Sequence, residues 1–159
     1  MASIYERIIA LFNEHHVKYT EAEHHQEGHG AHVAQFHGLD ETCGAKAIVI
    51  KLIKPDSYCL VVLPFTRNLD SKALQKLMGV KGASFATHEI SEELTGCVSG
   101  SIPPFSFHDD VLLIIDNAIK DHQKIFFNAG RLDRSVAINT SDYCKLVNSA
   151  KFADISKTK

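Results

Sequence analysis

Two β-branched apolar runs, AKAIVIKLI (45–53) and YCLVVLP (58–64), are separated only by Lys54-Pro-Asp-Ser57. Such runs favour the extended, pleated backbone, and the four residues between them have the composition of a turn. The pair predicts a β-hairpin, and a chain of 159 residues must build its core around that hairpin. This length suits one domain over residues 1–159, able to bury a core without metals or disulfides.

The remaining segments read as short elements on either side. Ser3-x-x-Glu6 has capping-box spacing ahead of Ile4, Ile8, Leu11 and Phe12, which predicts a helix over about residues 3–15. Val17–Thr20 reads as a short strand, and residues 31–36 as a turn or two of helix in a polar, glycine-punctuated stretch. Asp70 caps a helix whose apolar face is Ala73, Leu74, Leu77 and Met78, closed by Gly79. A strand near 84–86 precedes a helix over 89–94 that Gly96 ends. Residues 111–116, 125–130 and 135–139 read as strands, Thr140 or Ser141 caps a helix to about Val147, and FADI (152–155) closes the chain. Strands interleaved with short helices give an α/β or α+β domain on a mixed sheet. The chain has no GxGxxG and no long βαβ rhythm, which argues against a Rossmann fold.

Composition removes several classes of function. No run of about 18 apolar residues is present, so no membrane span is expected. The start, MASIYERIIALF, lacks a basic region and carries Glu6 and Arg7, unlike a secretory signal. Cys43, Cys59, Cys97 and Cys144 form no CxxC pair, which favours a reducing compartment and hence the cytoplasm. A net charge of −2 gives no general attraction for nucleic acid, so any RNA contact must be local.

Three features could carry chemistry. Seven of the ten histidines lie between positions 15 and 37, and His25-x3-His29 with His32 has metal-ligand spacing. Gly28 and Gly30 interrupt the helix that would align them, so a structural role is favoured over a metal site. Lys46 opens the first strand of the hairpin behind Cys43-Gly44-Ala45. There it either projects its ammonium into a cleft or lays its stem along the sheet edge, and position alone favours the second reading. The third feature is TGCVSGSIPPF (95–105), with Gly96, Gly100 and Pro104 spaced four apart. Glycine permits close approach and positive φ, and paired prolines stiffen the chain, so this loop could present backbone N–H groups to a polar substrate. A helix cap followed by a plain connection is the alternative.

In order along the chain, AKAIVIK, LD-x-K-x-L-x-x-LMG, EELTG, GCVSGSIPPF, IFFNAGRLDRSV and DYCKL…KFADI resemble the YbaK/EbsC family, free-standing relatives of the editing domain of bacterial prolyl-tRNA synthetases. The resemblance implies a curved mixed sheet or partial barrel flanked by short helices. It implies hydrolysis of the ester joining a small wrong amino acid, such as Ala, Cys or Ser, to a tRNA such as that for proline. The implied partners are the aminoacyl-tRNA 3′ end and, beyond it, an aminoacyl-tRNA synthetase, with no cofactor and no metal. A non-catalytic module that binds a tRNA end or aminoacyl nucleotide is the alternative. Lys46 and Gly100 take the family's catalytic positions. Ser101, Pro103, Pro104 and Ser135 fall at substrate-binding ones, and either Tyr19 or His24 matches its early aromatic. The chain departs from the family pattern at Cys97, Ser101 and Ser106, where the resemblance locates substrate choice.

Overall fold

A computed structural model of the chain describes residues 2–25 and 30–159. Helix α1 (Ile4–Glu14) carries the expected capping box: the Glu6 N–H donates to the Ser3 hydroxyl at 3.1 Å, and the Ser3 N–H donates to the Glu6 carboxylate. Strand β1 (Tyr19–Glu23) begins two residues later than the sequence predicts. His16 turns to φ 54°, and the Val17 N–H donates back to Phe12 O at 2.8 Å. Val17 therefore belongs to the helix end.

Helix α2 (Gly30–His37) is followed by the hairpin of β2 (Ala45–Ile53) and β3 (Ser57–Pro64), paired from Ala45↔Pro64 to Leu52↔Ser57. Strand β4 (Arg67–Leu69), α3 (Ser71–Met78) and β5 (Gly82–Phe85) come next. Asp70 accepts from the Ala73 N–H, and Gly79 closes α3 at φ 65°, as read from the sequence. Helix α4 (His88–Thr95), capped by Thr87, ends at Gly96 with φ 71°. Strands β6 (Leu112–Asp116), β7 (Lys124–Arg131) and β8 (Arg134–Asn139) lead into α5 (Thr140–Leu146). Neither Thr140 nor Ser141 caps α5; the cap is Asn139, and the Thr140 N–H instead donates to Gln123 O at 2.9 Å. Two short strands, β9 (Lys151–Ala153) and β10 (Ser156–Thr158), follow.

The mixed α/β class stands, with its strands divided over three sheets that form no closed barrel among the described residues. The central sheet has the order β5-β2-β3-β6-β9, antiparallel across β5-β2-β3 and parallel across β3-β6-β9. Strands β1-β8-β7 form a second, antiparallel sheet, and β4 pairs with β10. Neither partner of that last pair was predicted, since three residues are too few to show a period.

Alternation along β2 divides the core in two. Ala45 and Val49 join Ile8, Phe12, Phe127 and Val136 on one face of the central sheet. Ile50 and Leu52 join Leu74 of α3 on the other. Lys46, two and four residues from Ile48 and Ile50, projects from the α3 face.

Candidate active site

The main cleft exists because β5 is short. Strand β5 pairs with β2 only from Ile50 to Ile53, and the Ala86 N–H makes the last bond along this edge, to Val49 O at 3.1 Å. Residues 46–49 of β2 therefore run along an edge with no neighbouring strand, and an open cleft of about 830 Å³ occupies the gap. Side chains from both sheet faces reach it, with Lys46 and Ile48 from one and Ala47 and Val49 from the other. Since Val49 O points to this edge, the two-residue alternation turns the Ala47 N–H and C=O the same way. The cleft thus has a main-chain donor and acceptor in its wall.

Lys46 is half-buried there. Burial, and after it the charge of Lys159, lowers its pKa from that of an ordinary lysine. Among the described residues its ammonium has no carboxylate within ion-pair distance. An uncompensated, partly desolvated ammonium favours an anionic or strongly polar ligand.

Gly100 faces Lys46 across the same cleft, with Ser99 and Ile102 beside it. Its φ of 88° lies in the left-handed region that glycine adopts without strain. Hydrogen bonds fix the loop from behind. Asn128 Nδ2 donates to Gly100 O at 2.7 Å, and the Gly130 N–H donates to Ser101 O at 2.9 Å. The Tyr143 hydroxyl donates to Pro104 O at 2.7 Å. The Gly100 N–H makes no hydrogen bond among the described residues. The Ser101 N–H and hydroxyl both donate to Val98 O, at 3.0 and 2.7 Å, so Ser101 is buried and committed inward.

A strand-edge cleft with a free ammonium on one wall and the backbone of a positive-φ glycine on the other suits a polar substrate with a carbonyl to polarise. The family model of the aminoacyl-tRNA editing domain matches residues 26–146. The chain belongs to this family. It is 34% identical over 145 residues to the Multifunctional Ser/Thr-tRNA deacylase ProXp-y of Escherichia coli strain K12, spanning 89% of this chain and 87% of the relative. The same protein of Escherichia coli O157:H7 matches equally. A solved structure described as a candidate trans-editing enzyme for prolyl tRNA synthetase shares the fold, with a TM-score of 0.82 over 99% of both chains at 19% identity.

In this editing domain, Lys46 and Gly100 are the two sequence-derived residues that meet at the cleft. Ser101, Pro103 and Pro104 do not line it. Pro103 and Pro104 are buried behind the loop, where they stiffen the wall instead of touching the cavity. Tyr19 packs on Phe12, with ring centroids 5.3 Å apart, and belongs to the core. Cys97 and Ser106 also face the interior: Cys97 is in the core, and the Ser106 hydroxyl donates to Val111 O at 2.7 Å.

Ser135 is fully buried and lies between two histidines, with its Oγ 3.1 Å from His24 Nε2 and 2.7 Å from His37 Nε2. His24 Nδ1 is 2.8 Å from His25 O, so it carries the proton and Nε2 accepts from the serine. The serine oxygen then accepts from His37 Nε2–H. Burial, and after it the charge of His24, pushes the His37 pKa down to about 4. The group is set back from the cleft: His37 stacks on Phe126, whose ring lies 5.6 Å from Phe65, and Phe65 lines the cavity. In β-sheet register Ser135 sits opposite Asn128, the residue that holds Gly100. Of the metal-spaced histidines, His29 lies outside the described residues. Among those described, no three potential metal ligands come together.

Sequence reasoning missed Glu41, Phe65, Phe85, His88 and Ser91, all of which line the cleft. His88 and Ser91 lie on α4 and Phe85 ends β5, so their approach to Lys46 depends on the β5–β2 pairing, which no local pattern encodes.

Proposed function

We propose that this editing domain acts in trans as an aminoacyl-tRNA deacylase, removing small, wrongly attached amino acids from the tRNA 3′ end. The observation that carries this reading is that Lys46, whose ammonium has no carboxylate partner among the described residues, and Gly100 line one cleft of about 830 Å³. That volume accommodates an aminoacylated nucleotide, whereas a free amino acid would leave most of it empty.

Lys46 binds the terminal phosphate or the ester oxygen by charge and hydrogen bonding. The Gly100 and Ala47 N–H groups receive the oxyanion that forms when water, or a hydroxyl of the substrate itself, adds to the carbonyl carbon. The tetrahedral intermediate collapses by breaking the bond to the ribose oxygen, which takes up a proton. Where water attacks, the products are a free amino acid and uncharged tRNA. The Ser101 N–H has no part, being bonded to Val98 O. Burial raises the pKa of all four thiols, Cys59 to about 12 and Cys97 to about 11, so no cysteine is poised as a thiolate nucleophile. Positioning and oxyanion stabilisation suffice, because an aminoacyl ester is already activated.

A second sieve explains the need. A synthetase pocket separates side chains differing by one methylene by only about 1–3 kcal/mol, so small competitors are charged in error. The relative named for Ser- and Thr-tRNA extends the substrates to be tested beyond Ala, Cys and Ser to Thr. Four free thiols suit the reducing cytoplasm, where a synthetase would supply the mischarged tRNA.

The test is deacylation of Ala-, Cys-, Ser- and Thr-tRNA, with tRNA for proline among the acceptors. The protein is expected to release at least one amino acid, and Lys46→Ala to lose roughly 10²- to 10³-fold in kcat/KM. Lys46→Arg, which keeps charge but changes its shape, is expected to recover only part. Binding of an aminoacyl-adenosine analogue with no ester loss across the panel would favour a non-catalytic module instead.

A further inference from the structure

Phe85 is the most exposed large apolar side chain among the described residues, at 68%. Phe36 follows at 56%, but the His24 ring stacks on it at 5.1 Å and it does not line the cleft. Phe85 does line the cleft and stacks on no other ring among the described residues. Its position relative to Lys46 follows from the sheet. Phe85 pairs with Ile50 across β5-β2, and cross-strand partners project from the same face. Lys46, four residues before Ile50, projects from that face too. The ring and the ammonium therefore stand on one side of the sheet, their backbones about 13 Å apart along β2 at ~3.3 Å per residue. Lys159 shares the cleft with Lys46, and Glu41 is its lone acidic side chain among the described residues.

A bare aromatic face beside cationic groups matches a ligand with a flat ring and a phosphate. We propose that Phe85 is a stacking platform for the terminal adenine of the tRNA substrate, holding the nucleotide so that its aminoacyl ester reaches Lys46 and Gly100. This deepens the deacylase reading of the same cleft and rests on it. Stacking on a ring tolerates any base and depends on the π-face rather than on hydrogen bonds. Phe85 is thus a positioning residue that strengthens substrate binding without touching the reacting atoms.

The chain contains no tryptophan, so Phe85→Trp places its one tryptophan, selectively excitable over the tyrosines, at the platform. Its emission is expected to be quenched by adenosine monophosphate and by a CCA trinucleotide, and left unchanged by ribose 5-phosphate. In deacylation, Phe85→Ala is expected to raise KM roughly 5- to 100-fold with kcat near its original value. Phe85→Trp should retain binding, and Phe85→Leu, apolar but without a π-face, should not. Because the side chain is exposed, all three variants should melt close to the parent protein. Equal KM for Phe85→Ala, or Leu serving as well as Trp, overturns the proposal, as does an absence of quenching. Quenching in a protein that releases no amino acid would retire the deacylase reading and leave the platform standing.

Discussion

A methyl group added at Gly44 would overlap the edge of the Phe65 ring and fall 2.8 Å from Phe126 Cζ. Gly44 has an ordinary φ of −75°, so space, not backbone freedom, demands glycine here. Phe65 lines the cleft and Phe126 stacks on His37, so neither ring can move without disturbing the wall beside Lys46. Gly44→Ala is expected to cost about 1–3 kcal/mol by overpacking. Urea unfolding would measure that loss, and kcat/KM for a mischarged tRNA should fall with it. In the sequence, Gly44 drew notice only as a neighbour of Lys46. The clearance it provides is set by Phe65 and Phe126, and the latter is more than eighty residues away along the chain. Lys46 itself was visible as a strand-opening lysine. The choice between a cleft and an edge-covering role required knowing that β5 stops at Phe85.

At the scale of the element, the loop over 97–105 is rigid for a reason only half visible in its sequence. Prolines restrict φ locally, but the loop's position comes from donors supplied by the distant strand β7 and by α5. The Tyr143 hydroxyl, fully buried, reaches Pro104 O across 39 residues, and Asn128 and Gly130 hold the carbonyls of Gly100 and Ser101. Tyr143→Phe keeps the ring packing and leaves Pro104 O without that donor. The expected loss is about 1–3 kcal/mol, the cost of an unpaired buried acceptor. If the loop positions Gly100 as argued, kcat should drop while KM changes less, and steady-state deacylation separates the two. The same contrast explains what was legible. The hairpin, α1, α3 and α4 carry their caps and periods within a few residues, so local sequence specified them. Strands β4 and β10 are three residues each and exist only as partners of one another. Ser101, Pro103 and Pro104 drew attention as a cluster, yet a loop has an inward side, and its direction is decided by partners elsewhere.

At the scale of the whole molecule, the buried His24–Ser135–His37 group links the end of β1, strand β8 and the end of α2. It therefore makes folding sensitive to acid. In the unfolded chain His37 takes up a proton at the ordinary histidine pKa of about 6.5. In the folded protein burial and His24 delay that uptake until about pH 4. Between these values the unfolded state binds more protons, so stability must fall as pH is lowered. The contribution is fully present above about pH 6.5, declines through the window, and is gone below about 4. Urea midpoints measured from pH 7.5 down to 4.5 should therefore decrease. His37→Gln retains an N–H donor for Ser135 Oγ and cannot titrate, so it should flatten that dependence while lowering stability at neutral pH only modestly. Parallel pH slopes for the two proteins would remove His37 as the cause. Because the group sits behind Phe126 and Phe65, a flattened slope in His37→Gln with deacylation intact at pH 7.5 would assign the histidines to holding the fold and leave chemistry to the cleft.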